Sequence, residues 1–374
     1  MSQPATADQA GPSGLAARAP LADRVVRDPV LLAFAESVGG VTDGPVAVEG
    51  GRTQWEAGGA SEAGTRLVAA PAGVVAFEPA EMTVQVRAGT SLENLNAILA
   101  AAGQRVALEG FSPGATVGGV LSVGRSGMTR LGHGPVRDTL LQARYVSAEG
   151  LLVTAGGPTV KNVTGFDLCR LLVGSLGTLG LLGEVILRTR PRPEVSCWLA
   201  GPADPFALRD ALYRPVALLW NGTQVWLCLE GYQGDVDQQA TVAGGHGLVP
   251  VAGPPPLPAG RTSLDPGLLA ALDPAVLAAQ GLVAEIGVGI LHGIGPGSPV
   301  LVTLGLEAEA QTNPRPPTVA GAGATIVSAH RREGGPALDE LNARMKSLFD
   351  PTGRLNPGRR PLDGRRATIG VNAS

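Results

Sequence analysis

The stretch KNVTGFDLCRLLVGSLGTLGLLGEVILRTRPRP, residues 161–193, places a glycine at every third position between two apolar runs. The glycines are Gly174, Gly177, Gly180 and Gly183. Glycine inside a helix or a strand costs about 0.5–1 kcal/mol relative to alanine, so four at this spacing indicate backbone that bends or approaches another group closely. The run LLGEVILRTRP that follows predicts a strand ending at Pro191.

Two further glycine-rich turns precede this one, EGGRTQ at residues 49–54 and PGATVGG at 113–119, and GSLGTLG at 174–180 makes the third. Such turns present consecutive main-chain N–H groups, which form concave anion sites without lysine or arginine. The chain carries 29 basic and 32 acidic residues, a net charge of −3, so it has no basic excess to hold a nucleic acid. We therefore expect an extended dinucleotide to lie across the three turns.

Several common nucleotide and metal sites are excluded by their motifs. GSLGTLG has the spacing G-x-x-G-x-x-G and leads into a strand, whereas a Rossmann turn needs G-x-G-x-x-G before a helix. Neither a P-loop nor an H-E-x-x-H motif occurs. The three cysteines lie far apart, and the histidines (His133, His246, His292 and His330) show no pair at ligand spacing, so we predict no metal site.

Apolar spacing in the first half of the chain predicts an α+β arrangement without a regular βαβ repeat. We predict helices over 28–40 and 91–103, strands in PVAVE, VVAFEP and MTVQVRAG, and a hairpin that turns at Glu149-Gly150. Residues 110–134 contain so many glycines that we predict no helix or strand there. A long glycine loop inside a compact domain is usually functional.

The sequence predicts five segments along the chain. They are a disordered leader 1–25, a first domain 26–193, a second domain 194–337, a segment 338–360 that includes an amphipathic helix, and a disordered tail 361–374. The second domain has weaker signals: strands in VALLW, TQVWLCLE, VAEIGVGILH and PVLVTLGL, and helices around 207–212 and 266–280. The leader lacks the apolar core of a signal peptide, and no apolar run reaches the length of a membrane span.

Five motifs in order carry a resemblance to a known family: VAVEGGRTQ, ATVGGVLSVGRSG, GPVRDTLLQARYVSAEG, VKNVTGFDLCRLLVGSLGTLGLLGEV and FDPTGRLNPGR. Together they cover about residues 40–192 and 338–360. The set resembles the flavin domain of the vanillyl-alcohol-oxidase/p-cresol-methylhydroxylase (PCMH-type) superfamily, and more narrowly the FAD-binding, E-type subunits of bacterial glycolate oxidases. The resemblance implies an α+β fold: a PCMH-type FAD-binding domain of two α+β subdomains, an α/β cap domain, and a C-terminal segment that returns to the FAD domain.

The resemblance also implies which residues bind the cofactor. Around the diphosphate it places Glu49, Gly50, Gly51, Arg52, Thr53 and Gln54. Against the diphosphate and the isoalloxazine it places Pro113, Gly114, Ala115, Thr116, Val117, Gly118 and Gly119, continued by Ser126 and Gly127. Under the adenosine and the flavin it places Gly174, Ser175, Gly177, Thr178 and Gly180, with main-chain bonds from Leu182, and Asn356 lies in the returning segment. Many relatives bond the flavin covalently to a histidine in the first turn, which this chain lacks, so we expect non-covalent FAD.

Oxidation of a hydroxy acid needs a group that takes the hydroxyl proton and a cation that fixes the carboxylate. The candidates that the resemblance places close to the flavin are His133, Arg130 and Arg137. His133 could equally be a loop histidine without a role, and Arg137 could form a structural ion pair with Asp138. Asn162, Phe166 and Asp167 are expected to order the third turn, with Asp167 as a helix cap, and Lys161 could face the flavin or solvent.

As a member of this family, the chain is expected to be the FAD-binding subunit of a glycolate oxidase complex that converts glycolate to glyoxylate. Implied partners are a sister FAD subunit and an iron–sulfur subunit, in the cytoplasm or peripherally on the inner face of the membrane. Related dehydrogenases carry a histidine-rich metal site, where AEIGVGILHGIG here has only His292. Two alternatives stay open: a stand-alone dehydrogenase for a 2-hydroxy acid such as D-lactate, and a non-catalytic electron-relay or scaffold subunit.

Overall fold

The strand predicted from the opening stretch is the centre of the first domain. A computed structural model describes residues 28–109, 112–157, 167–294 and 336–360, and in it strand β8, Leu181–Pro191, pairs with three neighbours in a six-stranded sheet. The strand order is β3-β4-β8-β6-β7, with β5 also paired to β8, and every pair in this sheet is antiparallel. The other strands are β3 Val74–Glu78, β4 Thr83–Arg87, β5 Gln104–Val106, β6 Leu140–Val146 and β7 Leu152–Gly156.

Strand β8 carries one buried acid within its apolar run. Glu184 is 1% exposed and lies opposite Arg87 of β4 and Arg144 of β6. One guanidinium nitrogen of each arginine lies 2.8 Å from a Glu184 carboxylate oxygen, and Gln85 donates to it over 2.6 Å. A buried carboxylate is tolerated only when it is paired and hydrogen-bonded in this way.

The first domain contains five helices: α1 Pro29–Val38, α2 Leu92–Ala100, α3 Val117–Val123, α4 Arg130–His133 and α5 Leu168–Leu172. The predicted helices at 28–40 and 91–103 are confirmed, with Asp28 and Ser91 as N-caps. The predicted cap at Asp167 is also confirmed, because its side chain accepts a hydrogen bond from the Arg170 N–H.

The expectation that residues 110–134 hold no helix is wrong, since α3 and α4 lie there. Thr116 caps α3 by accepting from the Gly119 N–H, and Gly118 brings the helix so close to the end of β4 that its N–H donates to the Ala88 carbonyl over 2.7 Å. A Cβ atom at Gly118 would lie 2.8 Å from the Ala88 Cβ. The glycines here permit close packing of a helix, which glycine content alone does not reveal.

The four glycines of the opening stretch divide into two pairs. Gly174 and Gly177 have positive φ angles of 84° and 71° and form the turn. At Gly180 an added Cβ would lie 2.4 Å from the Tyr145 ring, and at Gly183 one would lie 3.0 Å from the Phe34 ring. The first pair therefore bends the chain, and the second pair lets β8 accept bulky neighbours.

The C-terminal segment packs on the first domain after helix α9, Pro336–Phe349. Strand β1, Val46–Glu49, pairs in parallel with β2, Arg66–Ala69, and Leu355 bridges to Val46 on the other side of β1. Arg354 is 3% exposed and donates to the carbonyls of Val38, Gly39, Gly44 and Ala148. The segment is thus anchored by a buried cation that satisfies several loop carbonyls at once.

The second domain is a seven-stranded antiparallel sheet in the order β12-β9-β11-β10-β14-β15-β13. Its strands are β9 Val195–Gly201, β10 Ala217–Trp220, β11 Val225–Gly231, β12 Val249–Val251, β13 Arg261–Ser263, β14 Val283–Glu285 and β15 Ile290–His292. Its helices are α6 Pro205–Ala211, α7 Gln233–Gly245 and α8 Pro274–Ala279, with a 3-10 turn at Pro266–Ala271.

Predicted strands in VALLW, TQVWLCLE and VAEIGVGILH are confirmed. The one in PVLVTLGL, the leader 1–25 and the tail 361–374 lie outside the described residues. Helix α7 escaped prediction because its sequence is polar and only Val236 and Ala243 are buried. The mixed helix and sheet architecture confirms the α+β class. Among the described residues, no helix combines the length and the apolar character that crossing a bilayer requires.

Candidate flavin site

The three glycine turns meet at an open cleft of about 850 Å³, which includes the solvent at its mouth. The cleft is lined by these predicted residues: Glu49, Gly50, Gly51, Arg52, Thr53, Gln54, Thr116, Gly118, Gly119, Gly177, Leu182 and Asn356. It is also lined by residues that the sequence did not single out, among them Trp55, Ser122, Leu176 and Arg359.

The remaining predicted residues do not line the cleft; they are Pro113, Gly114, Ala115, Val117, Ser126, Gly127, Gly174, Ser175, Thr178 and Gly180. Some of them join the turns to neighbouring parts of the first domain. Gly174 N–H donates to the Leu121 carbonyl of α3, and Ser126 Oγ accepts from the Val136 N–H. Gly127 packs against the Glu109 side chain, whose carboxylate would collide with a Cβ at that position.

The first turn contains a run of main-chain donors without acceptors. The N–H groups from Gly50 to Gln54 make no hydrogen bond to any group in the described part of the chain. Arg52 has a left-handed φ of 53°, which curls this run into a concave shape. Consecutive N–H groups in such a turn form an anion site. The buried Gln54 Oε1 also lacks a donor among the described residues, so the turn can accept as well as donate to a bound molecule.

The first and second turns touch through their main chains. A Cβ at Gly51 would lie 1.8 Å from the Gly114 carbonyl oxygen, and one at Gly50 would lie 2.6 Å from Thr116 Oγ1. No side chain can therefore fill the space where these turns meet, and the backbone itself forms this part of the cleft.

The second turn differs from the first because five of its N–H groups already have acceptors within the chain. Their acceptors are Glu93 Oε1 for Gly114, and the carbonyls of Ser112, Thr90 and Ala88 for Ala115, Val117 and Gly118, with Thr116 Oγ1 for Gly119. We expected amides from all three turns to converge on an anion. In this structure the first turn supplies the run of free donors. The second turn forms part of the cleft wall and packs against the first turn.

The third turn is fastened both to α3 and to the C-terminal segment. Leu176 has a positive φ of 54°, and its N–H donates to the Ser122 carbonyl over 2.8 Å. Its carbonyl accepts from the side-chain Nδ2 of Asn356 over 2.6 Å. The cleft is thus closed on one side by a residue 180 positions further along the chain.

Trp55 lies at the end of the donor run with two arginines beside its ring. The Arg52 guanidinium carbon lies 5.1 Å from the ring centroid, and that of Arg359 lies 4.7 Å from it. Arg359 also donates to the main-chain carbonyls of Trp55 and Ala57 and, through Nε, to Ser61 Oγ. Sequence patterns have no means of pairing Arg359 with Trp55, because they are 304 residues apart.

His133, the predicted base, lies at the junction of the two domains and does not line the cleft. Its Nε2 is 3.1 Å from both Glu230 Oε2 of β11 and Arg105 Nη2 of β5, and its Nδ1 is 3.0 Å from Thr129 Oγ1. Burial raises the pKa of Glu230, but hydrogen bonds from His133 and Arg105 outweigh it and lower that pKa to about 2. Both imidazole nitrogens are therefore occupied by protein groups.

The two predicted carboxylate-binding arginines lie in different surroundings. Arg137 is about half exposed, 4.0 Å from Asp138, which also pairs with Arg170. Arg130 lies in a cluster with Arg125 and Arg261. Arg125 follows the end of α3, and Arg261 faces it from the second domain. Arg261, from β13, donates to the Ser126 carbonyl over 3.2 Å and so reaches the first domain from the second.

Arg261 is exposed to charges of both signs in this cluster. Burial lowers the pKa of Arg261, and repulsion from Arg125 and Arg130 lowers it further, while Glu285 and Glu109 act in the opposite direction. Glu285 is itself 2.7 Å from His292 Nε2. Within the described ranges, no three His, Cys, Asp or Glu side chains come together as a possible metal site. The sequence gives no signal for Arg261, because no motif surrounds it.

Comparison with known proteins agrees with this geometry. Residues 40–156 match the model of the "FAD binding domain" family. The chain is 34% identical to glycolate oxidase subunit GlcE of Escherichia coli (strain K12) over 186 residues, 46% of this chain and 52% of that protein. It is 31% identical to the mitochondrial D-lactate dehydrogenase [cytochrome] of Arabidopsis thaliana over 152 residues, 41% of this chain and 26% of that protein.

The matched region thus spans about half of the first of these relatives, and less of the second. Among solved structures, alkyldihydroxyacetonephosphate synthase superimposes with a TM-score of 0.58 over 90% of this chain and 74% of that one, at 14% identity, which shows a shared fold. The free N–H groups of the cleft lie within residues 40–156, and the third turn and the C-terminal segment line it from outside that range. Residues 40–156 therefore match an FAD-binding domain, and the chain shares its fold with alkyldihydroxyacetonephosphate synthase.

Proposed function

We propose that the cleft binds FAD non-covalently and that the chain is the FAD-binding subunit of a glycolate oxidase complex, which oxidises glycolate to glyoxylate. The observation that carries the proposal is the run of N–H groups from Gly50 to Gln54, unpartnered among the described residues, which lies where two glycine turns meet inside the matched FAD domain. Such a run suits the diphosphate of a dinucleotide. The similarity to the glycolate oxidase subunit supports the substrate.

Non-covalent attachment is supported by the residues of the cleft. None of the described residues that line it is a histidine, cysteine or tyrosine, the residue types whose side chains could bond to a flavin ring. The proposal extends to partners and location: a sister FAD subunit and an iron–sulfur subunit, in the cytoplasm or peripherally at the membrane. The similarity to a protein named as a subunit supports the existence of a complex.

When bound, FAD supplies a hydride acceptor for the oxidation. For the substrate carboxylate we propose Arg130 together with Arg261 and Arg125, because an anion placed among three guanidiniums would relieve their mutual repulsion. The cluster begins at Arg125, two residues after Val123, which lines the cleft. Arg137 is the weaker candidate, since Asp138 is its neighbour.

His133 stays our candidate for the group that takes the hydroxyl proton. Glu230 and Arg105 both contact Nε2 and so hold the imidazole ring in a fixed orientation. Reaching a substrate would require the contact between Nδ1 and Thr129 to open. His133 can therefore act as the base only if its ring moves away from Thr129.

The cofactor proposal is tested by the absorbance spectrum of the purified chain and by acid precipitation. We expect oxidised flavin bands, with all of the yellow chromophore in the supernatant and identified there as FAD. A colourless folded protein that takes up no added FAD would overturn the proposal. Chromophore that stays in the pellet would overturn the non-covalent part alone.

A second candidate is a stand-alone dehydrogenase for D-lactate or a similar 2-hydroxy acid, which the similarity to a D-lactate dehydrogenase favours. Steady-state oxidation by the purified chain with a dye acceptor separates the two. Turnover of D-lactate by the chain alone would support the second candidate. Glycolate turnover that needs the sister chains would support the first.

A further inference from the structure

Arg359 is a cation on the wall of the cleft without a carboxylate partner in the described part of the chain. Arg52, the other arginine beside Trp55, is neutralised by Glu49, whose Oε1 lies 2.5 Å from its Nε. No aspartate or glutamate oxygen among the described residues lies within 4.0 Å of Arg359. Glu49 thus neutralises Arg52 at contact distance, whereas no carboxylate of the described residues does the same for Arg359.

The guanidinium of Arg359 is held in place by neutral groups. Its contacts are the Trp55 and Ala57 carbonyls, Ser61 Oγ and the face of the Trp55 ring. Burial lowers the pKa of Arg359, since these neutral neighbours do not replace the lost hydration in full, and the more distant Glu56 offsets only part of this effect. A half-buried positive charge in such a position is stabilised when an anion binds beside it.

The position of Arg359 relative to the N–H groups from Gly50 to Gln54 indicates which anion would bind beside it. Trp55 directly follows Gln54, the last residue of that run, and both Trp55 and Arg359 line the same cleft as Gly50 to Gln54. The donors of the turn and the guanidinium therefore border one volume. Two phosphate groups in that volume could accept hydrogen bonds from the turn and balance the charge of Arg359.

We propose that Arg359 is the side chain that neutralises the diphosphate of the cofactor, so that the C-terminal segment forms part of the cofactor site. This inference rests on the FAD cofactor of the proposed function. It modifies the expectation that main-chain groups alone hold the anion. The segment 350–360 is well placed for this role, because Arg354 and Asn356 anchor it to the first domain and Asp350 accepts hydrogen bonds within the segment.

The test measures flavin affinity in the full-length apoprotein for Arg359→Gln, Arg359→Lys and the control Arg360→Gln. Arg360 is exposed, does not line the cleft and carries the same charge. Dissociation constants are measured by flavin fluorescence for FAD and for riboflavin, which has no phosphate. We expect Arg359→Gln to weaken FAD binding about tenfold or more, equivalent to about 1.4 kcal/mol per tenfold, and Arg359→Lys to weaken it less. Riboflavin affinity should be equal in all variants.

Equal losses for FAD and riboflavin in Arg359→Gln would overturn the proposal, because they would mean that Arg359 only shapes the loop from Trp55 to Ser61. An unchanged FAD affinity would overturn it as well. If Arg359→Gln does not fold, the wild-type protein decides: its FAD affinity should fall with added salt while its riboflavin affinity stays constant. A wild-type apoprotein that binds neither flavin contradicts the cofactor proposal itself, which is a distinguishable result.

Discussion

Gly51 and Gly114 lie so close that an added Cβ atom at Gly51 would sit 1.8 Å from the Gly114 carbonyl oxygen. The contact joins the turn that carries the free N–H groups to the turn that precedes helix α3. Both partners are main chain, so neither can move aside as a flexible side chain could. The geometry of the donor run therefore depends on the absence of a side chain at Gly51.

The Gly51→Ala variant should lose FAD affinity at least tenfold and be less stable. Overpacking of a rigid contact typically costs about 1–3 kcal/mol, and here the displaced group is the turn that we propose binds the diphosphate. The measurements are FAD titration and thermal unfolding. Gly234→Ala is the matched control, because a Cβ there meets nothing within 4 Å. Wild-type FAD affinity in Gly51→Ala would show that the turns can separate without loss of the site.

The Asn356→Asp variant tests the bond that closes the cleft. Asn356 Nδ2 donates to the Leu176 carbonyl over 2.6 Å, while its Oδ1 accepts from Ser61 Oγ over 3.1 Å. Aspartate keeps the acceptor and tolerates the φ of 44°, but it places a carboxylate oxygen against a carbonyl. We expect a loss of about 1–3 kcal/mol in the free energy of unfolding and weaker FAD binding.

The control for Asn356→Asp is Asn221→Asp in an exposed turn. Asn221 Oδ1 accepts from the N–H groups of Thr223 and Gln224, a role that aspartate retains. This variant should unfold like the wild type. If Asn356→Asp also unfolds like the wild type, the contact between Asn356 and Leu176 does not hold the C-terminal segment.

The free N–H groups of the first turn could be predicted from sequence because they belong to the main chain. The sequence Gly50-Gly51-Arg52 predicts a turn whose N–H groups belong to no helix or strand. A run of such N–H groups is enough to predict an anion site. The same reasoning predicted free N–H groups in the second turn, and that prediction is wrong. Its N–H groups are satisfied by Glu93, Thr90 and Ala88, which lie 21 to 30 residues earlier, and no local pattern signals that pairing.

Contacts across the chain account for the rest of what the sequence could not predict. Arg359 meets Trp55, and Glu230 meets His133, over separations of 304 and 97 residues. The two later glycines of the opening stretch have the same cause, since the Tyr145 and Phe34 rings that they accommodate come from β6 and α1. Spacing correctly marked Gly180 and Gly183 as points of close approach. It could not distinguish a ring of the core from a cofactor.

The reactivity of the three cysteine thiols tests how the hydrophobic cores of the two domains are packed. Burial raises the pKa of Cys169 to about 11 and that of Cys228 to about 12, and both side chains are about 2% exposed. Because the thiolate is the reactive form, neither should react with Ellman's reagent at pH 8 in the folded protein. Cys197 is partly exposed and should react. All three thiols should titrate in urea, and Cys197→Ser should remove the folded-state signal. Rapid reaction of two or more thiols in the native protein would contradict the described packing.

The contact of Glu230 with Arg105 and His133 should make the junction of the two domains sensitive to acid. The pKa of Glu230 is lowered from 4.5 to about 2 in the folded chain, so the contact stabilises the fold fully above pH 4.5 and is lost as the pH falls towards 2. At about 1.4 kcal/mol for each unit of pKa, the contribution is about 3 kcal/mol at most.

The test compares urea unfolding of the wild type and of Glu230→Gln at pH 7, 5, 4 and 3. The variant should be less stable at pH 7, since Arg105 loses its ion-pair partner, and the difference between the two proteins should shrink between pH 4.5 and 3. The control, Glu36→Gln on the exposed face of α1, should follow the wild type at every pH. A difference between Glu230→Gln and wild type that stays constant with pH would mean that the Glu230 carboxylate stays charged throughout this range or that its charge does not hold the domains together.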